Sequence, residues 1–258
     1  MKFILQQSNQ LFTHSGGLAL VAQLIEQTDV LSRVNTTKLN PLGKKIKRNI
    51  NKPNIPNSEV IKCYLGLLCQ GKNDFEDIEI YRDDELFKAL LNLQRVSSSA
   101  TLRQRLDIAP KSWCEILTEE SINLLREHNV TLTPSIRNLV PVDIDVSPFD
   151  NSDSKKEGVS RTYKGFDGYA PIFAYIGKDE GYLVHCELRE GKRHSQCDKG
   201  AFIERAIASA KKLCPNLLVR MDSGHDSGDT LAILLTSDVE FIYKLNLRGS
   251  DRGYYYNY

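Results

Sequence analysis

Two acidic clusters in the second half of the chain have the residue types and spacing that best suit chemistry. The first is Val142-Asp-Ile-Asp-Val-Ser147, in which Asp143 and Asp145 alternate with apolar residues. This alternation predicts a strand whose two carboxylates project from the same face. The second is Arg220-Met-Asp-Ser-Gly-His225, in which Asp222 follows an apolar stretch and precedes a turn-forming Ser-Gly pair.

Carboxylates that leave neighbouring strands suit a hard divalent cation. An unpaired buried carboxylate is costly, so a cation or a basic side chain is expected beside each group. Mg²⁺ and Mn²⁺ take oxygen ligands, and Mg²⁺ keeps several waters that phosphate oxygens can replace. Two such ions can activate a water or a 3′-hydroxyl and stabilise the leaving oxygen of a phosphodiester. The competing interpretation is structural: the aspartates cap turns or pair with Arg220 and Lys244.

His225 is a further polar residue beside the second cluster. It follows Gly224 directly, so its imidazole could hydrogen-bond a phosphate. The alternative, which its sequence context favours, is a solvent-facing position in a loop. We therefore expect His225 to lie on the surface.

The elements around the two clusters follow a mixed α/β pattern. Near Leu139 the apolar spacing changes from helical to alternating, which predicts a domain boundary between residues 137 and 138. Downstream, three strands are followed by alternating helices and strands. The predicted strands are 139–146, 169–176, 182–188, 217–221 and 240–245, and the predicted helices are 199–213 and 228–235.

The first half of the chain is predicted to be helical, because apolar residues recur at helical spacing in 18–25 and 60–68. Ser58 and Thr118 are candidate N-caps, and Gly71 is a candidate helix end. Between the first two helices, residues 33–52 contain seven basic residues and no acidic one. This composition predicts a loop or arm of one charge sign, which we call the basic arm.

Basic side chains in two places are candidate DNA contacts, because lysines and arginines on phosphates release counterions and give a salt-dependent affinity. In the basic arm the candidates are Lys44, Lys45, Lys47 and Arg48. In a later helix, Arg103 and Arg105 could enter a DNA groove. An ordinary exposed helix face is the alternative for these two arginines.

Composition limits the class of protein. The 258 residues have a net charge of +1, so an anionic partner must be bound by a local basic patch. Apolar runs are short and the N-terminus is rich in glutamine and asparagine, so neither a membrane span nor a signal peptide is predicted. The six cysteines form no Cys-x-x-Cys pair. These features predict a cytoplasmic protein with reduced thiols and no membrane partner.

Several motifs, in chain order, resemble the DDE-type transposases of bacterial insertion sequences, specifically DDE domain group 1. Besides the two acidic clusters, they are Lys155-Lys-Glu-Gly158, Tyr163-Lys-Gly-Phe-Asp-Gly-Tyr-Ala-Pro171 and Glu190-Gly-Lys-Arg-His-Ser195. In the first half, Tyr81-Arg-Asp-Asp-Glu-Leu86 and Ser99-Ala-Thr-Leu-Arg103 resemble that family's helical region. The resemblance extends over nearly the whole chain.

This resemblance implies a ribonuclease-H-like core whose three carboxylates bind two divalent metals, Mg²⁺ or Mn²⁺. Motif matching makes Asp222 the second acid. It favours Asp145 as the first, because the family's acid is usually followed two places on by Ser or Thr, as Ser147 is here; Asp143 is the competitor. The family's third acid, a glutamate on a later helix, has no counterpart before Tyr258, so the resemblance also predicts a C-terminally truncated core.

We therefore predict an N-terminal helical DNA-binding region at 1–137 and an incomplete ribonuclease-H-like domain at 138–258. The predicted function is a transposase that binds double-stranded DNA, both terminal repeats and target, as a homodimer. When intact it would cleave a phosphodiester and join the freed 3′-hydroxyl to target DNA. One alternative is a remnant that binds element ends without cutting them. Another is a haloacid-dehalogenase-type phosphatase with Asp143 as nucleophile and Asp145 as general acid.

Overall fold

The structure is a computed structural model that describes residues 15–39, 54–192 and 199–246. The chain divides into two compact units, Met1–Glu120 and Ser121–Tyr258, so the structural division precedes the boundary predicted at 137 and 138. The assignment of separate functions to the two parts stays a prediction. The basic-arm candidates lie outside the described residues; they are Lys44, Lys45, Lys47 and Arg48.

The first unit, which we call the helical unit, contains only helices and their connections in its described part. Its helices are α1 (Leu18–Glu26), α2 (Val30–Thr36), α3 (Asn57–Cys69), α4 (Glu85–Leu90) and α5 (Ser99–Asp107), a 3₁₀ helix at Phe75–Tyr81, and the start of α6 (Ser112–Glu127). The helix α3 is central to its core: Val60, Cys63 and Leu67 are buried in one apolar cluster with Phe87 and Leu91. The predicted helical character of the first half is confirmed.

Two predicted helix caps are wrong. The helix α3 begins directly after Pro56, and Ser58 lies in its first turn, where its hydroxyl accepts a hydrogen bond from Asn35 Nδ2. Thr118 lies in the interior of α6, which continues through it. Gly71 is confirmed as a helix end, because it has φ +69° and its N–H donates to the Leu68 carbonyl.

The second unit, which we call the sheet unit, contains eight strands among its described residues, 121–192 and 199–246. They are β1 (Val140–Val146), β2 (Phe149–Asp150), β3 (Ser160–Arg161), β4 (Asp167–Tyr169), β5 (Ile172–Ile176), β6 (Tyr182–Glu187), β7 (Leu217–Met221) and β8 (Glu240–Tyr243). The main sheet has the order β6-β5-β1-β7-β8, and β2-β4-β3 forms a small second sheet. In the main sheet β1, β5 and β6 are antiparallel neighbours, whereas β7 and β8 run parallel to β1.

The two parallel strands are each reached through a helix, because a parallel connection needs a crossover. The helix α7 (Lys199–Lys211) precedes β7, and α8 (Gly228–Thr236) precedes β8. Three antiparallel strands followed by two helix-linked parallel strands form a ribonuclease-H-like sheet. The predicted fold class, helices followed by a mixed α/β ribonuclease-H-like domain, is confirmed.

The core of the sheet unit decides which face of β1 is available for chemistry. Val142 and Ile144 are buried and pack in one cluster with Phe202 and Ile203 of α7. Since successive side chains of a strand point to opposite faces, the residues between and after them in β1 face away from this core. Both candidate first acids are therefore on the face opposite the apolar core.

The strand predicted at 169–176 is interrupted in the structure. Pro171, which has no N–H to give to a ladder, separates β4 from β5, and the N–H of Ala170 donates to the Arg189 carbonyl instead. The small sheet was missed because strands of two or three residues are too short to show a period of two. In the described part of the chain, no helix combines the length and apolar character needed to cross a membrane.

Candidate functional site

The register of β1 and β7 brings the two acidic clusters together. The strands run parallel, and Ile144 lies beside Met221. The next residues, Asp145 and Asp222, are therefore neighbours at the carboxyl ends of the two strands. One ligand atom from each of them lies within 4.8 Å of the other and of a ring nitrogen of His225. We call these three residues the carboxylate site.

Backbone hydrogen bonds orient both carboxylates. Asp145 Oδ1 accepts a hydrogen bond of 2.8 Å from the Val146 N–H. Asp222 Oδ1 accepts one of 3.0 Å from the Gly224 N–H, and Asp222 thereby caps the 3₁₀ turn Ser223–His225. The structural interpretation, in which Asp222 caps a turn, is therefore correct, but this role does not use up the charge of the carboxylate. A backbone donor leaves the charge in place, so two like charges stay side by side, an arrangement that favours a bound cation.

Asp143 is in a different environment, two residues earlier on the same face of β1. Arg220 of β7 lies beside it and donates from Nε to Oδ1 at 2.6 Å and from Nη2 to Oδ2 at 2.5 Å. This hydrogen bonding by Asp143 raises the pKa of the guanidinium, and a two-point pair of this kind balances the carboxylate charge. Of the two candidate first acids, the structure brings Asp145 to Asp222 and pairs Asp143 with an arginine.

The expectation that His225 faces solvent is wrong. Its side chain is only 1% exposed. The turn after β7 folds back, with the His225 N–H donating to the Asp222 carbonyl, and this places Nε2 at 3.9 Å from Asp222 Oδ1. A turn signal was visible in Asp-Ser-Gly, but the burial of the ring depends on what packs around the turn.

Tyr163 is a site residue to which the sequence pattern assigned no role. It follows β3 in the hairpin to β4, and its hydroxyl donates to the Val146 carbonyl at 3.4 Å, directly after Asp145. Partial burial raises the pKa of the phenol, and the charges of Asp145 and Asp222 raise it further. The phenol therefore stays protonated at neutral pH. Its residue is 69% exposed, so an aromatic surface borders the two carboxylates.

The two arginines predicted to face a DNA groove are bound to groups of the helical unit. Arg103 Nη2 donates to both carboxylate oxygens of Glu76 at 2.8 Å. Arg105 Nη1 donates to the Ile55 carbonyl at 3.2 Å and to Asn57 Oδ1, and burial lowers the pKa of its guanidinium. Arg105 therefore has a structural role that its sequence position did not reveal.

Arg33, the first residue of the basic arm, also forms ion pairs within the helical unit. Arg33 lies within α2, not in a loop, and pairs with Glu119 at 2.8 Å and Glu120 at 2.6 Å. The hydrogen bonds that the Arg33 guanidinium donates to these two glutamates raise its pKa. The prediction of an arm beginning at Arg33 is therefore wrong at its first residue, since the described chain continues as helix through Thr36.

The sequence of residues 7–249 matches the family described as Transposase DDE domain group 1. Because this match covers most of the chain, the chain belongs to that family, as its motifs predicted. No curated protein sequence matches it.

Solved transposase structures are also similar to the chain. A piggyBac transposase synaptic complex with hairpin DNA is 13% identical, with a TM-score of 0.35, over 93% of this chain and 51% of that one. A Mos1 transposase paired-end complex with the left transposon end is 11% identical, with a TM-score of 0.27, over 89% and 78%. The Mos1 strand transfer complex is 11% identical, with a TM-score of 0.26, over 92% and 79%. The chain thus spans about half the length of the piggyBac transposase chain.

Proposed function

We propose that this member of the DDE transposase family binds DNA at element ends and uses the carboxylate site for metal-dependent phosphodiester chemistry. The observation that carries the proposal is the approach of Asp145 and Asp222 within 4.8 Å of each other, on a ribonuclease-H-like sheet. When bound there, Mg²⁺ or Mn²⁺ would polarise a phosphate oxygen and activate the attacking water or 3′-hydroxyl. The partners are double-stranded element ends and target DNA, bound by a homodimer in the cytoplasm.

The residues of the site would divide this work among them. Asp145 and Asp222 would supply the negative charge and the oxygen ligands. Asp143 and Arg220 would hold β1 and β7 in register through their two-point pair, which also keeps Asp143 from competing for the ion. Tyr163 would lie against a nucleotide next to the reacting phosphate, because its exposed ring can stack on a base.

A second candidate function is DNA binding without cleavage. Among the described residues the carboxylate site contains Asp145, Asp222 and His225 but no third carboxylate. Two-metal chemistry needs both ions in place, so a site with too few acids would hold DNA without cutting it. The phosphatase alternative is disfavoured, because its nucleophile would be Asp143, and both oxygens of that carboxylate accept hydrogen bonds from Arg220.

An assay with labelled element-end DNA distinguishes these functions. Purified protein is incubated with the DNA in Mg²⁺ or Mn²⁺, and the products are resolved on a denaturing gel. Metal-dependent nicking that Asp222→Asn abolishes supports the transposase proposal. Binding of the end DNA without nicking supports the second candidate. Nicking that survives in Asp222→Asn would contradict the assignment of the carboxylate site.

DNA binding by the basic arm is tested separately. Replacing Lys44, Lys45, Lys47 and Arg48 together with Ala should weaken binding to unrelated duplexes as well as to element ends. The slope of log affinity against log salt should flatten by about 0.9 for each lost phosphate contact. A slope equal to that of the wild type would exclude the basic arm from the interface.

A further inference from the structure

The turn after β7 places the imidazole of His225 next to the carboxylates of Asp145 and Asp222. Asp222 accepts hydrogen bonds from this turn at two atoms: its side chain accepts the Gly224 N–H and its carbonyl accepts the His225 N–H. His225 is 1% exposed, and its Nε2 lies 3.9 Å from Asp222 Oδ1. A buried ring on a short hydrogen-bonded turn has little freedom to move away from the two carboxylates.

The distances are close to those of a single coordination sphere. Oxygen and imidazole ligands bind divalent ions at about 2.0–2.2 Å, so two ligand atoms of one ion lie up to about 4.4 Å apart. Ligand atoms of Asp145, Asp222 and His225 all lie within 4.8 Å of one another. Small side-chain rotations at Asp145 and Asp222, both exposed, would close the remaining gap.

We infer that His225 is a third protein ligand of the ion held by Asp145 and Asp222, which makes a site of two carboxylates and one imidazole. This inference rests on the proposed metal function of the carboxylate site. It also predicts which ion the site selects. Carboxylates alone suit Mg²⁺, whereas an imidazole nitrogen favours transition metals, so the site should prefer Mn²⁺ to Mg²⁺ more strongly than a site of two carboxylates would.

The test uses the full chain without DNA and reads the ligand directly. Mn²⁺ is titrated into the protein, its affinity is measured from the electron paramagnetic resonance signal of the unbound ion, and pulsed measurements detect a coordinated ¹⁴N nucleus. We expect a nitrogen coupling in the wild type and none in His225→Phe. The Phe variant should bind Mn²⁺ about tenfold or more weakly and bind Mg²⁺ nearly as well as the wild type does.

Two further variants make the outcomes distinguishable. His225→Gln offers an oxygen at a similar reach, so it should retain Mg²⁺ binding and lose the nitrogen coupling even if the Phe variant folds poorly. Asp145→Asn should weaken both ions. Mn²⁺ that binds through Asp145 without any nitrogen coupling would overturn the role of His225 and leave the proposed function standing. Mn²⁺ binding that is unaffected by Asp145→Asn would overturn both.

Discussion

Charged side chains are used differently in the helical unit and at the carboxyl end of the main sheet. In the helical unit, charges of opposite sign meet: Arg33 lies against Glu120, and the nearly buried Lys62 donates to Glu26 at 3.3 Å. At the sheet, Asp145 and Asp222 have the same sign and lie side by side. Paired charges support a fold, whereas adjacent like charges lower stability unless a ligand neutralises them. The comparison shows which charges are structural and which are candidates for chemistry.

The same contrast occurs within β1 alone. Asp143 and Asp145 are on one face of β1, but different residues of β7 lie beside them. Arg220 lies beside Asp143 and pairs with it, whereas Asp222 lies beside Asp145. A step of two residues along a parallel ladder therefore separates an ion pair that holds two strands from a pair of acids that can hold a metal.

The largest expected effect comes from neutralising one acid of the carboxylate site. Asp222→Asn should reduce metal-dependent nicking by at least about a thousandfold, because several kcal/mol of charge stabilisation by the ion are lost. The thermal unfolding midpoint should stay the same or rise, since repulsion from Asp145 is removed. Calorimetry on the same sample measures that midpoint. A large fall in stability would show that Asp222 is mainly structural.

Removing a charge from the helical unit should affect stability instead. Glu120 accepts hydrogen bonds from both Arg33 Nη1 and the Asp29 N–H, and its side chain is 7% exposed. Glu120→Ala should therefore lower the free energy of unfolding by about 2 kcal/mol, as measured by urea denaturation. Glu119→Ala is the matched control, because Glu119 is half-exposed and its loss should cost under about 1 kcal/mol. Equal effects of the two substitutions would contradict this assignment.

The aromatic residue bordering the carboxylate site should contribute to DNA affinity. Tyr163→Ala should weaken binding to element-end DNA about tenfold in metal-free buffer, because a base loses its stacking surface. Tyr163→Phe should retain most of the affinity, since the ring remains. Fluorescence anisotropy with labelled DNA measures both variants. If the Phe variant binds as weakly as the Ala variant, the hydroxyl rather than the ring is the contact.

The smallest effect is expected at the paired acid of β1. Asp143→Asn should lower the free energy of unfolding by about 1 kcal/mol, since the pair with Arg220 is half-exposed and partly screened by solvent. Its Mn²⁺ affinity should stay within about twofold of the wild type, whereas Asp145→Asn should weaken it severely. Isothermal titration compares the two. Loss of Mn²⁺ binding in Asp143→Asn would make Asp143 the first acid.

Local sequence patterns predicted an element correctly where the spacing of its apolar residues reflects its burial. The strand β7 was predicted with the bounds that the structure shows, because its residues are apolar except for Arg220 and lie between turn-forming segments. The alternation in β1 correctly placed Asp143 and Asp145 on one face. The small sheet could not be predicted in this way, and Pro171 divided a segment whose apolar pattern is continuous.

The amino-acid sequence by itself determined the helical first half, the order of the five main-sheet strands and the two helices that link them, and membership of the transposase family. Those properties follow from periodicity and from motifs in chain order. Only the tertiary structure decided that Asp145 rather than Asp143 meets Asp222, that His225 is buried beside them, and that Tyr163 borders the same site. The first result depends on the register of β7 beside β1, and the other two depend on how the turn after β7 and the hairpin after β3 pack near that edge. All three are relations between segments far apart in the chain.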